Sequence, residues 1–269
     1  MPAIAHSAVR LWIHMELMSS MNKEAASAFG PLVQNTARVV EQKLPCRMLI
    51  ANAKGGCGKT TLATNTAAYF AKQGGNVALI DYDPQGSSAQ WLQARNETLP
   101  LIYSVTAFKK ADPHATRSFQ LKVPSNTTHV VIDTPAGLTD HALADVIRQC
   151  DLLLIPVVPS AIDIRAATGF IKDVLLSPGY RVKPKPIAVV ANRVKRNTLG
   201  YSKLELFLKS LSIPFITSLR DTQHYVRAAE YGMGIFDFSQ PSVKDIDEWK
   251  PLLEWLSHHI DKTQKKQKA

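Results

Sequence analysis

One junction constrains this chain more than any other feature. The apolar run Met48 to Ala51 leads into Lys54-Gly55-Gly56-Cys57-Gly58-Lys59-Thr60-Thr61, and a helix-like stretch, Thr60 to Gln73, follows at once. A strand that ends in a glycine-rich turn at the start of a helix suits a triphosphate. Glycines let the backbone curl so that several N–H groups point inward. The helix N-terminus adds partial positive charge at the same place. Lys59 is placed to neutralise phosphate oxygens, and the Thr60 hydroxyl to ligate Mg2+. Gly55, Gly56, Cys57, Gly58, Lys59, Thr60 and Thr61 are the expected phosphate cradle. A thiol at Cys57 beside a helix start would have a lowered pKa, which opens a redox-sensing reading.

Downstream, short apolar runs alternate with helix-like stretches. The strands read are Met48 to Ala51, Val77 to Asp81, His129 to Asp133, Leu152 to Val158, Ile187 to Ala191 and Pro214 to Thr217. Each is β-branched or aliphatic and bounded by Gly, Pro, Asp or Asn. Helices are expected at Ser87 to Arg95, Asp140 to Gln149, Ile164 to Leu176, Ser202 to Leu211 and Val243 to Ile260. Alternation with continuously apolar strands predicts an α/β fold: an open, mainly parallel twisted sheet with helices on both faces.

Two strands end in carboxylates. Asp81-Tyr82-Asp83-Pro84-Gln85-Gly86 follows Val77 to Ile80, and Asp133-Thr134-Pro135 follows Val130 to Ile132. Ligands of open α/β sheets sit at the carboxyl ends of strands, so both groups are expected to reach the loop.

The loop departs from the ordinary phosphate-loop pattern: Ala53 stands where that pattern has Gly, and Lys54 adds a second lysine. With Asp-x-Asp-Pro-Gln at 81–85, the chain resembles the ParA/MinD class of deviant Walker ATPases over Met48 to about Phe236. It is most similar to small ParA-like partition ATPases. The resemblance implies ATP and Mg2+ as cofactors and ATP hydrolysis as the activity. It implies that Asp83 positions or activates the attacking water, that Asp81 helps near the metal, and that Asp133 is a magnesium carboxylate acting through water. Thr134 to Gly137 becomes a segment sensitive to the γ-phosphate. Lys54 matches the signature lysine that reaches the partner's phosphates, which implies a homodimer formed on ATP binding. Asn192, in Ala191-Asn192-Arg193, matches an adenine-reading asparagine, with Thr217 to Asp221 beside the base. Non-specific DNA, a ParB-like or other adaptor that stimulates hydrolysis, and a cytoplasmic, nucleoid-associated setting are further implications.

Composition bears on partners. Lys plus Arg exceed Asp plus Glu by 32 to 22, an excess that favours a polyanionic partner. No acidic residue occurs between Val174 and Leu204, where Arg181, Lys183, Lys185, Arg193, Lys195 and Arg196 fall. These are the DNA-contact candidates, with Arg220, Arg227 and Lys244 behind them. The strand Ile187 to Ala191 divides the block. Three cysteines, Cys46, Cys57 and Cys150, point to free thiols. No run is long and apolar enough for a membrane span. The alternative function is a MinD-like membrane regulator, which needs an amphipathic C-terminal helix for lipid. Val243 to Ile260 is amphipathic, but it carries acidic residues and Pro251, so membrane association is disfavoured. The expected organisation is an N-terminal extension of unassigned role (1–46), the ATPase domain (47–262) and a basic tail (263–269).

Overall fold

The computed structural model describes residues 44–108, 121–138, 140–196, 198–210 and 213–266. The expected extension lies almost wholly outside the described residues, as do residues 23–43, where Ala25, Ala28, Leu32, Val33 and Val40 fall on roughly helical spacing in the sequence. Among the described residues, seven strands form one sheet in the order β3-β2-β4-β1-β5-β6-β7, and every neighbouring pair is parallel. The central strand is β1 (Cys46–Ile50), between β4 (His129–Asp133) and β5 (Leu152–Val157). β2 (Val77–Asp81) and β3 (Ile102–Thr106) extend the sheet on one side, β6 (Ile187–Val194) and β7 (Phe215–Arg220) on the other. The predicted α/β architecture is the observed one.

The inner strands read as unbroken apolar runs because helices cover both faces. Side chains alternate across a strand, so β1 sends Met48 and Ile50 to one core and Leu49 to the other. The first core is closed by α1 (Lys59–Lys72), through Leu62 and Phe70, and by α8 (Val243–Lys266), through Trp249 and Leu256. The second is closed by α3 (Asp140–Gln149), through Leu143 and Ile147, and by α4 (Ala161–Leu176), through Phe170 and Val174. Each such aliphatic side chain, fully buried, contributes roughly 1.5–3 kcal/mol. The remaining helices are α2 (Ser87–Ala94), α5 (Pro178–Val182), α6 (Leu199–Ser210) and α7 (Gln223–Glu230), with a 3₁₀ turn at Ile235–Asp237.

Three elements escape the sequence reading. β3 is an edge strand in which only Ile102 and Val105 are buried, so its apolar signal is weak. α7 has one buried residue, Ala228, and starts where the Thr222 hydroxyl accepts a hydrogen bond from the His224 N–H. α5 is five residues long and is capped by Ser177. The C-terminal helix also corrects expectation. α8 continues through Pro251 and on to Lys266, into the stretch assigned to the tail. Its apolar face, including Trp249, Leu252 and Leu256, lies inside the first core and is not offered to a lipid surface. Among the described residues, no helix is long and apolar enough to cross a membrane.

Candidate nucleotide site

The chain runs from β1 outward through β2 and β3, returns through β4, and then builds the other half of the sheet from β5. The carboxyl end of β1 is therefore where strand order reverses, the point at which open α/β sheets bind ligands. A cleft of about 630 Å³ opens there. The loop and Lys59 line it, together with Asp83, Gln85, Asn192, Arg193 and the segment from Arg220 to Val226.

The loop is braced from behind. Asn52 is buried; its amide donates to Pro156 O at 2.7 Å, and its Oδ1 accepts the Lys54 N–H at 3.1 Å. Lys59 Nζ donates to Lys54 O at 2.9 Å, which bends the lysine over the loop. Gly56 and Gly58 have φ of 75° and 90°, backbone that glycine adopts without strain. Gly58 is needed twice over, because a Cβ there would overlap the Asn192 side-chain amide. Cys57 is not the reactive thiol that its position suggested. It is 1% exposed, burial pushes its pKa up, and its Sγ–H donates to Lys54 O.

The carboxylates divide by role. Asp133, at the end of β4, is fully buried. Its Oδ2 accepts from Thr60 Oγ1 at 2.8 Å and from Ser88 Oγ at 2.6 Å. Its Oδ1 is buried and, among the described residues, has no hydrogen-bond partner. Burial raises its pKa to about 6 against the pull of those two hydroxyls. An unpartnered carboxylate oxygen beside a threonine hydroxyl fits a divalent cation. Asp81 is buried and, like Asp133, is not among the residues that line the cleft. Its Oδ1 accepts the Asp83 N–H (2.9 Å) and its Oδ2 the Ala89 N–H (3.0 Å), both inside the protein. It shapes the turn that carries Asp83, which is half-buried and lines the cleft. Ser88 was not singled out in the sequence; its only signal is its place in the first turn of α2, beyond the Asp-Pro-Gln turn.

Thr134 Oγ1 donates to Ile50 O at 2.9 Å and the Gly137 N–H to Ala53 O at 3.0 Å, so the segment Thr134 to Gly137 is laced to the loop. Asn192 is buried, with its Nδ2 donating to Cys57 O at 2.9 Å. Lys54 is exposed beside the cleft, and among the described residues its ammonium has no partner.

The basic block does not form one surface. Arg181 and Lys183 precede β6, whereas Arg193, Lys195 and Arg196 lie at its far end. Eight extended residues put roughly 25 Å between the two groups. Lys185 is corrected outright: it is buried, and its Nζ donates to the carbonyls of Arg148 and Cys150. Arg220 is likewise committed, with Nε donating to Asp245 Oδ1 at 2.6 Å and Nη2 to Ser242 Oγ at 3.1 Å. Asp245 also holds His224, and Glu248 Oε2 accepts the Arg220 N–H, so α8 fixes the part of the cleft wall that Arg220 lines. Arg227 and Lys244 are exposed.

Comparison with known proteins agrees with this geometry. A family model for the CobQ/CobB/MinD/ParA nucleotide binding domain matches residues 48–235. The maintenance of carboxysome distribution protein A of Halothiobacillus neapolitanus is 31% identical over 212 residues, covering 77% of this chain and 94% of that protein. Apo McdA of Cyanothece superposes with a TM-score of 0.64 at 18% identity, over 79% of this chain and all of the other. A plasmid partition protein of Borrelia burgdorferi bound to AMPPNP gives 0.62 at 21% identity, over 80% of this chain and all of the other. A strand–loop–helix junction at the sheet's switch point, with its carboxylates in place and this match across most of the domain, makes the chain a member of the CobQ/CobB/MinD/ParA nucleotide-binding family, of the ParA/MinD ATPase type.

Proposed function

We propose that the protein is an ATP-hydrolysing positioning ATPase: ATP drives pairing of two copies and binding to non-specific DNA, and hydrolysis, stimulated by an adaptor protein, releases both. The observation that carries the reading is the convergence of Lys59, Thr60 and Asp83 on one cleft, with the buried Asp133 hydrogen-bonded to Thr60. Lys59 supplies positive charge at the loop. Thr60 and Asp133 are the residues that would hold Mg2+, Asp133 through its free Oδ1. When bound, Mg2+ neutralises phosphate charge and orients the triphosphate. Asp83 is held on its turn by the Asp81 carboxylate, facing the cleft, where a water can be oriented for attack. Lys54, exposed and unpaired among the described residues, is free to reach a second copy's phosphates.

Exposed cations at Lys195, Arg196 and Arg227 support a DNA surface on the cleft side of the molecule. The relatives' names concern carboxysome distribution and plasmid partition, so the cargo of this protein is a large body moved over the nucleoid in the cytoplasm. The test is binding to non-specific duplex DNA with ATP, with ADP and without nucleotide, across a salt series. Binding confined to the ATP state and falling steeply with salt is expected. Absence of DNA binding in every state removes the DNA part of the reading and directs the search to an anionic lipid or protein surface.

A further inference from the structure

Asp81 and Asp133 end neighbouring strands and stand opposite each other in register. Leu79 and Val131, two residues back on each strand, belong to the first core. Side chains on a strand repeat their direction at every second residue, so both carboxylates point to that same face. Both are buried. Like charges held side by side in the interior need hydrogen-bond donors to offset their repulsion and their lost hydration.

The start of α2 and the turn before it supply donors to both, but in different ways. Asp81 takes the backbone N–H groups of Asp83 and Ala89. Asp133 takes a side chain: Ser88, itself fully buried, donates its hydroxyl to Oδ2 at 2.6 Å. Thr60, from α1, donates to the same oxygen at 2.8 Å. A hydroxyl has one proton to give and two lone pairs. With its proton on Oδ2, Thr60 keeps its lone pairs for a cation. The terminal torsion of an aspartate is soft, so one hydroxyl alone leaves the carboxyl plane loosely set. Two hydroxyls arriving from different helices fix it, and Oδ1 is then the oxygen that no described residue engages. Ser87, one residue earlier, lines the cleft, whereas Ser88 does not.

We infer that Ser88 is a positioning residue of the metal site: its hydroxyl holds the Asp133 carboxylate so that Oδ1 is left for Mg2+, and it ties that carboxylate to the helix that follows the Asp83 turn. Ser88 touches neither nucleotide nor cation and acts through Asp133. The inference rests on the nucleotide-binding reading above.

The test measures ATP binding by calorimetry, across a Mg2+ series and with EDTA in place of Mg2+. It compares the unaltered protein with Ser88→Ala, Ser88→Cys, Asp133→Asn and the Ser88→Ala/Asp133→Asn double variant, with thermal melts alongside. Ser88→Ala is expected to bind ATP in EDTA as the unaltered protein does. It is expected to need about 10- to 100-fold more Mg2+ for the gain in affinity that the cation brings. Cysteine keeps a weak donor at similar size, so Ser88→Cys is expected to fall between the two, and it carries the test alone should the alanine variant not fold. In the Asp133→Asn background, Ser88→Ala is expected to change the Mg2+ response no further, because the pair acts as one unit. An unaltered Mg2+ response in the Ser88 variants, whatever their melting temperatures, overturns the inference. So does an equal loss of ATP affinity with and without Mg2+, which marks a structural role only. If the unaltered protein binds ATP no better with Mg2+ than with EDTA, the metal reading beneath the inference falls; if it does not bind ATP at all, the nucleotide reading falls.

Discussion

Thr60 and Asp133 are joined by a 2.8 Å hydrogen bond from the threonine hydroxyl to Oδ2, while the carboxylate's other oxygen is buried without a partner among the described residues. The pair comes from the first turn of α1 and the last residue of β4, which are 73 residues apart in the chain. Asp133→Asn keeps the shape and an acceptor for both hydroxyls but removes the charge. The expected outcome is a folded protein whose nucleotide affinity no longer rises when Mg2+ is added. An Mg2+ effect of wild-type size in that variant excludes Asp133 from the metal site.

Lys59 and Asp83 belong to separable steps. Lys59→Ala is expected to reduce ATP affinity by about 100-fold or more, about 2.7 kcal/mol. Asp83→Ala is expected to bind ATP with nearly unchanged affinity and to lose hydrolysis by roughly 10²–10⁴-fold. Calorimetry with phosphate-release assays separates the two. Turnover at the wild-type rate in Asp83→Ala removes that residue from the chemistry.

Gly58 combines a φ of 90° with close packing against Asn192. Gly58→Ala faces backbone strain and a clash together. The expected cost is about 1–3 kcal/mol of stability, read as a melting point lower by several degrees, with nucleotide binding lost. A variant that melts and binds like wild type would mean that Asn192 is free to move aside.

His129 gives a pH signature. Burial lowers its pKa from 6.5 to about 4, and its ring stacks on Phe70 at 4.4 Å. The folded state disfavours the protonated form, so the unfolded chain binds the extra proton. The associated stability is present above about pH 6.5 and is lost as pH falls towards 4, by at most about 3 kcal/mol. Asp133, with its pKa raised to about 6, contributes in the opposite sense over much of the same window. Comparing His129→Phe with wild type cancels the Asp133 part. The variant is expected to show a flatter decline of melting temperature between pH 6.5 and 4; parallel curves would show that His129 does not set it.

Charge and exposure separate two sets of basic residues. Lys195→Glu with Arg196→Glu is expected to weaken DNA binding and reduce its salt dependence by about one unit of slope per lost phosphate contact. Lys185→Ala is expected to leave that slope unchanged and to cost about 1–3 kcal/mol of stability, because two carbonyls, that of Cys150 buried, lose their donor. A salt slope altered by the Lys185 change would place that end of β6 on the DNA.

The sequence by itself determined the phosphate loop, the parallel sheet and the carboxylates at strand ends. These are local signals: a glycine turn between a strand and a helix, and apolar runs in strands buried on both faces. The tertiary structure decided which charged groups are available. Asp81 and Asp83 sit two residues apart in one motif, yet the side chain of the first is spent on backbone N–H groups and that of the second faces the cleft. Lys185 and Lys183 are near neighbours in one basic block, yet only Lys183 is exposed. Ser88 acquires its place through Asp133, a partner distant in sequence. Composition and spacing record which residues are present. Burial, and the partners that burial imposes, decide whether a charge meets solvent, a ligand or the protein's own backbone.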